Sequence, residues 1–145
     1  VDAASLWQAS ANAAGIPLTV KKVPDDGYWS DVWNVKPFCT SYWGGRPVQD
    51  QMYSTAYIST ADWNDTRFKN ADFDALILQA RAETDLVKRK ELYSKIAHIL
   101  WNEGGVIVPM FNDFIDAYSD VVAGWAEDPN YEMMGGFAAQ RTWMA

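Results

Sequence analysis

The chain has a single cysteine, Cys39, and a single histidine, His98, in 145 residues. One thiol cannot close an internal disulfide or build a Cys-x-x-Cys redox or zinc motif. One imidazole leaves His-based zinc sites and Ser-His-Asp or Cys-His arrangements without partners. Positive charge is also scarce: 12 Lys and Arg against 19 Asp and Glu give a net charge of -7 and a pI near 4.5. A field of that sign repels phosphate backbones and anionic headgroups, so nucleic acid is excluded as an expected partner. Apolar runs are short. Val106–Phe111 is typical, far below the roughly 20 residues that span a bilayer. Neither a basic segment followed by an apolar one, as in a secretory signal, nor a repeat or low-complexity stretch is present.

What the chain does have is apolar mass. About half of its residues are hydrophobic and 21% are charged, an ordinary balance for one folded domain. The 8 Trp, 7 Tyr and 6 Phe are many for this length. Such a surplus of rings serves a large core or a surface that grips flat or apolar ligands.

Local signals divide the chain into elements. Leu6, Ala9 and Ala13 are spaced for a helix over residues 2–14, with Gly15 at its C-cap. Residues 16–23 turn β-branched and predict a strand, closed by the turn Pro24-Asp25-Asp26-Gly27. A helical turn is expected over residues 28–34, and a second, aromatic strand over residues 37–43. Gly44-Gly45-Arg46-Pro47 is loop by composition, and Pro47 keeps Arg46 extended. Residues 49–60 give no clear signal. Two amphipathic helices follow. One, over residues 71–83, places Phe73, Leu76, Ile77 and Ala80 on one face. The next places Leu86, Tyr93, Ile96, Ala97, Leu100 and Trp101 on another, ended by Gly104-Gly105. Asn70 or Asp72, and Thr84 or Asp85, are candidate caps. Residues 106–111 read as a buried strand, and a last short strand is expected over residues 140–144. Strands alternating with helices point to an α/β layer architecture.

The search for chemistry leaves one segment. His98 lies mid-helix, where a structural or solvent-facing role is expected. Asp62-Trp63-Asn64-Asp65-Thr66 begins like a calcium loop but lacks its glycine and distal glutamate, and reads as a turn. Its Asn-Asp-Thr sequon is a chance match outside a eukaryotic secretory host. Asp25 and Asp26 suit a turn, and Lys88-Arg89-Lys90 suits a solvated helix face. In residues 38–50, by contrast, Tyr42 and Trp43 offer rings, Gly44 and Gly45 offer accessible amides, and Arg46 and Asp50 offer one charge of each sign. Arg46 could fork onto a carboxylate and Asp50 accept from an ammonium, together holding a polar zwitterion. The plainer alternative is a strand end carrying a surface Arg46–Asp50 ion pair, worth under about 1 kcal/mol. No catalytic residue, metal ligand or cofactor site is assigned.

Across nearly its whole length the chain resembles the C-terminal part of family 5 solute-binding proteins, the oligopeptide-, dipeptide- and nickel-binding relatives. The resemblance is carried in order by Asn70-Ala71-Asp72-Phe73-Asp74-Ala75-Leu76-Ile77, Ala80-Arg81-Ala82-Glu83-Thr84-Asp85 and Lys88-Arg89-Lys90-Glu91-Leu92-Tyr93. It continues through Ile99-Leu100, Gly105–Phe111 and the Val-x-x-Gly-Trp element Val121–Trp125. It implies a periplasmic binding protein type II-like α/β fold, with residues 1–105 in the distal lobe and residues 106–145 returning to the first. It further implies a non-enzymatic component of an ABC importer that captures a peptide or peptide-like solute at the outer face of the cytoplasmic membrane. Such a component hands its ligand to a permease and meets the membrane only through that permease or a lipid anchor. A sensor or regulator using the same binding fold is the alternative. Peptide-binding relatives place an acid after the strand that ends at Trp43, where it pairs with the ligand's α-ammonium. Arg46 stands there in this sequence, which implies a ligand carboxylate, an opine-like compound or another anion.

Overall fold

The computed structural model describes residues 2–145. It is 43% helical, with one small two-stranded sheet. The chain divides into two compact units, Val1–Tyr42 and Trp43–Ala145.

The first unit opens with α1 (Asp2–Ala13). Gly15 follows at φ 80°, and the Ile16 amide reaches back to Ala11 O at 2.8 Å, the paired closure that a left-handed glycine permits. The predicted strand over residues 16–23 does not form. Leu18 instead satisfies its backbone on α1 side chains: its amide donates to Asn12 Oδ1 at 3.1 Å and its carbonyl accepts from Gln8 Nε2 at 2.9 Å. The turn after it is as read, closed by Tyr28 N to Asp25 O, and leads into α2 (Tyr28–Asp31). Residues 37–43, the second predicted strand, have no ladder partner either. One of their carbonyls, Thr40 O, accepts from the Tyr28 hydroxyl. β-Branched and aromatic residues favour a pleated surface only where a neighbouring strand completes it.

The second unit is built on three helices, α3 (Gln49–Ala56), α4 (Ala71–Ala82) and α5 (Leu86–Glu103). The helix α3 lies where no sequence signal was found. Both following helices are capped by the residues the pattern offered. Asn70 accepts from Phe73 N, and Asp85 from Val87 N and Lys88 N. Phe73, Ile77 and Ala80 of α4 meet Leu92 and Ile96 of α5 in one cluster with Ala56, Tyr57 and Phe68. The buried face of α5 keeps the predicted Ile96, with Tyr93 and Leu100 packed against the cluster, adds Leu92 and loses the predicted end residues. Leu86 and Trp101 are 74% and 81% exposed, whereas Leu92 is buried. Leu92 lies four residues before Ile96 on one stripe, whereas Leu86, six residues before Leu92, and Trp101, five after Ile96, lie about 100° or more around the helix from its centre.

Residues 106–111 correct a third strand expectation: they are unpaired and exposed, Phe111 by 94%. The sheet comprises β1 (Val122–Ala123) and β2 (Trp143–Met144), antiparallel with Val122 opposite Met144, so the last predicted strand is present but shorter. Gly124, at φ 82°, makes this closure possible. A Cβ there would lie 2.2 Å from the Trp143 ring. Between the strands lie two short turns, α6 (Glu132–Gly135) and α7 (Ala138–Arg141). No helix among the described residues is long and apolar enough to cross a membrane.

The core carries its own pH dependence. Tyr57 is 6% exposed, and burial first, then the charge of Asp65, pushes its phenol up to about 12. A folded-state value above the unfolded value near 10 favours the protonated form in the fold. The associated stability is therefore complete below pH 10 and is lost as pH rises through about 12. Two pH units correspond to about 2–3 kcal/mol. Urea unfolding at pH 8 and pH 11.5 should show a smaller alkaline loss for Tyr57→Phe than for the parent. Equal losses would contradict this assignment.

Candidate functional site

The segment singled out in the sequence crosses the boundary between the two units. Tyr42 belongs to the first. Its ring is 74% exposed and meets Trp29 edge-on, with centroids 5.3 Å apart at 87°. Trp29 in turn meets Tyr28 at 5.6 Å and 82°, and Trp33 at 5.8 Å. Asp25, Tyr28, Trp29, Thr40, Ser41 and Tyr42 line an open hollow of about 350 Å³. Burial raises the Tyr28 phenol above its ordinary value, against the lowering effect of its bond to Thr40. The sequence signals that place these residues together are the Pro-Asp-Asp-Gly turn and the short helix α2. They were legible, but nothing in them linked Trp29 to Tyr42.

The remaining candidates lie in the second unit. Trp43 is half-buried, packs against the helical core and stands 6.1 Å from Trp63. It is a ring set into the protein, whereas Tyr42 faces solvent. Gly44 and Gly45 run beside the paired rings of Phe114 and Tyr131, themselves 5.4 Å apart. A Cβ on Gly45 would lie 3.4 Å from the Phe114 ring, at the near edge of ordinary contact. Arg46 folds back on its own loop, Nη1 donating to Gly44 O at 2.9 Å and to Gly45 O at 3.2 Å. A guanidinium has five N–H donors, so these two contacts fix its position and leave donor capacity for an anion.

Asp50 is not paired with Arg46. It sits in the first turn of α3, and Arg81 of α4 grips it with a fork: Nε lies 3.0 Å from both carboxylate oxygens and Nη2 2.9 Å from Oδ2. The Tyr93 hydroxyl of α5 donates to Oδ1 at 3.0 Å, and Arg81 Nη2 also contacts Ser54 Oγ. The hydrogen bond to Asp50 holds the Arg81 guanidinium above its ordinary value. Burial, then the bond to Asp50, does the same for the Tyr93 phenol. Asp50 therefore ties three helices together, and its carboxylate is already engaged. Sequence reasoning missed Arg81 and Tyr93, which are 31 and 43 residues from Asp50 and share no local pattern with it.

The other motifs resolve into structure. Asn64 is 6% exposed: its amide donates to Phe68 O at 2.6 Å and Ile58 O at 3.3 Å, and its Oδ1 accepts from Thr66 Oγ1 and Phe68 N. The sequon asparagine is thus the internal brace of a turn. His98 is exposed on α5. Asp128 is held below the usual carboxylate range by the backbone and side-chain N–H groups of Asn130. Among the described residues, no group of three or more His, Cys, Asp and Glu could hold a metal ion.

No protein-family model matches the chain, and no curated protein matches it.

Proposed function

We propose that this chain is the C-terminal part of an extracytoplasmic solute-binding protein of the family 5 type, serving an ABC importer. It captures a peptide-like or opine-like solute outside the cytoplasmic membrane and passes it to a permease without bond chemistry. The observation that carries the reading is the ordered series of sequence elements from Asn70 to Trp125, whose first three segments coincide with the capped helices α4 and α5. On this reading the fold is periplasmic binding protein type II-like. Residues 1–105 belong to the distal lobe, and residues 106–145 return to the first lobe, which would cover the exposed side chains of residues 106–111. Closure of two lobes on the ligand supplies the contacts that favour the bound state.

Within the ligand loop, Arg46 is the anion contact and Tyr42 the accessible ring, while Trp43 and Asp50 hold the loop and the following helix in place. A thermal-shift screen of peptides, opines and sugars tests the function, because a ligand that binds only the folded state raises the melting temperature with its concentration. A carboxylate ligand found in this way should bind Arg46→Glu more than tenfold more weakly by calorimetry. Unchanged affinity would remove Arg46 from the site, and no shift with any of the three classes would overturn the transport reading.

A further inference from the structure

The hollow of the first unit has a composition that selects a charge type. Three of its six lining residues are aromatic, one is a carboxylate, two bear hydroxyls, and none is basic. Trp29 stands at 82° to Tyr28 and at 87° to Tyr42, so the three rings form a corner and not a flat stack. Two of them are open to water, Trp29 by 49% and Tyr42 by 74%. Exposed rings on a mobile surface would ordinarily be free to turn. Here Tyr28 is fastened by its hydroxyl to the Thr40 carbonyl, and Trp29 is bracketed by Tyr28, Trp33 and Tyr42.

Aromatic faces carry negative electrostatic potential, and the rings of Tyr28, Trp29 and Tyr42 all line this one hollow. That arrangement recognises a cation too bulky or too alkylated to form a compact ion pair. Asp25 adds a carboxylate to the lining, and the net charge of -7 favours the approach of cations over anions. The volume, about 350 Å³, lies in the lower part of the range for small-molecule sites and exceeds what a single substituted ammonium group requires. The geometry points to a binding site for an organic cation, an alkylated ammonium group above all, formed by Tyr28, Trp29 and Tyr42 with Asp25 as counter-charge. It shares only Tyr42 with the proposed ligand loop and stands whether or not the chain serves a transporter.

The test uses the whole protein and two probes of the same shape, choline and its uncharged isostere 3,3-dimethylbutan-1-ol, with tryptophan emission and calorimetry as readouts. Choline should bind at least tenfold more tightly than the neutral alcohol. Asp25→Asn should weaken choline at least threefold and leave the alcohol unchanged, and Trp29→Leu should abolish choline binding. Far-ultraviolet circular dichroism of each variant verifies folding, and Tyr42→Leu provides a second ring deletion should Trp29→Leu fail to fold. Equal binding of the two probes would replace the cation site by a merely apolar one and overturn the inference. So would absence of binding by both, or choline binding insensitive to Asp25 and the rings. These outcomes are independent of the screen with peptides, opines and sugars.

Discussion

Replacing Phe73 with alanine is expected to lower the unfolding free energy by about 3–5 kcal/mol, the range for removing a fully buried aromatic side chain. Phe73 is 0% exposed and stands at the junction of three elements. Its ring meets Phe68 edge-to-face at 5.3 Å and Tyr53 of α3 at 5.7 Å, and its helix packs on α5 through Ile77 and Ala80. The loss therefore combines transferred apolar area, a cavity that the two neighbouring rings cannot fill without leaving their own contacts, and two aromatic pairs. Phe73→Leu, which retains much of the volume, should cost markedly less. Urea unfolding monitored by circular dichroism measures both. A loss below about 1 kcal/mol for Phe73→Ala would mean that this cluster does not hold the second unit together.

The second large effect is expected at Asn64. Alanine there would strip the Phe68 C=O of its side-chain donor and leave the Phe68 N–H only the longer contact to Thr66 Oγ1 at 3.3 Å. An unsatisfied buried backbone group costs about 1–3 kcal/mol, and a loss in that range is expected from the Phe68 carbonyl. Asn64→Asp sets a carboxylate oxygen against the Phe68 and Ile58 carbonyls in a buried site, and should be at least as destabilising as alanine near neutral pH. The consequence reaches the candidate site, because the turn that Asn64 braces carries Trp63, which faces Trp43. Asn64→Ala should therefore also shift tryptophan emission towards longer wavelength as the pair becomes wetter. Unchanged stability and emission together would contradict the bracing role.

How much of this was legible in the sequence varied with the range of the interactions. The ends of α4 and α5 could be read because capping is local: Asn70 and Asp85 need only backbone amides two or three residues away. Gly15 was legible for the same reason. The three predicted strands that did not form, over residues 16–23, 37–43 and 106–111, have the right residue types. A strand, however, is defined by a partner that residue type does not supply. The helix α3 was invisible by the same logic. Its Ala56 is buried only because Tyr57, Phe68 and Phe73 surround it, and its Asp50 is anchored by Arg81 and Tyr93.

The sequence by itself determined the helical pair, narrowed each of its N-caps to two candidates, and marked Gly44-Gly45-Arg46-Pro47 as loop. All of these depend on residue type and on neighbours within a few positions. Only the tertiary structure decided that Asp50 belongs to Arg81 and not to Arg46, that Trp43 is packed while Tyr42 is open, and that Tyr42 joins Trp29 and Asp25 around one hollow. Those pairings join residues 13 to 43 positions apart, and only the packed chain selects among the many partners that composition would allow.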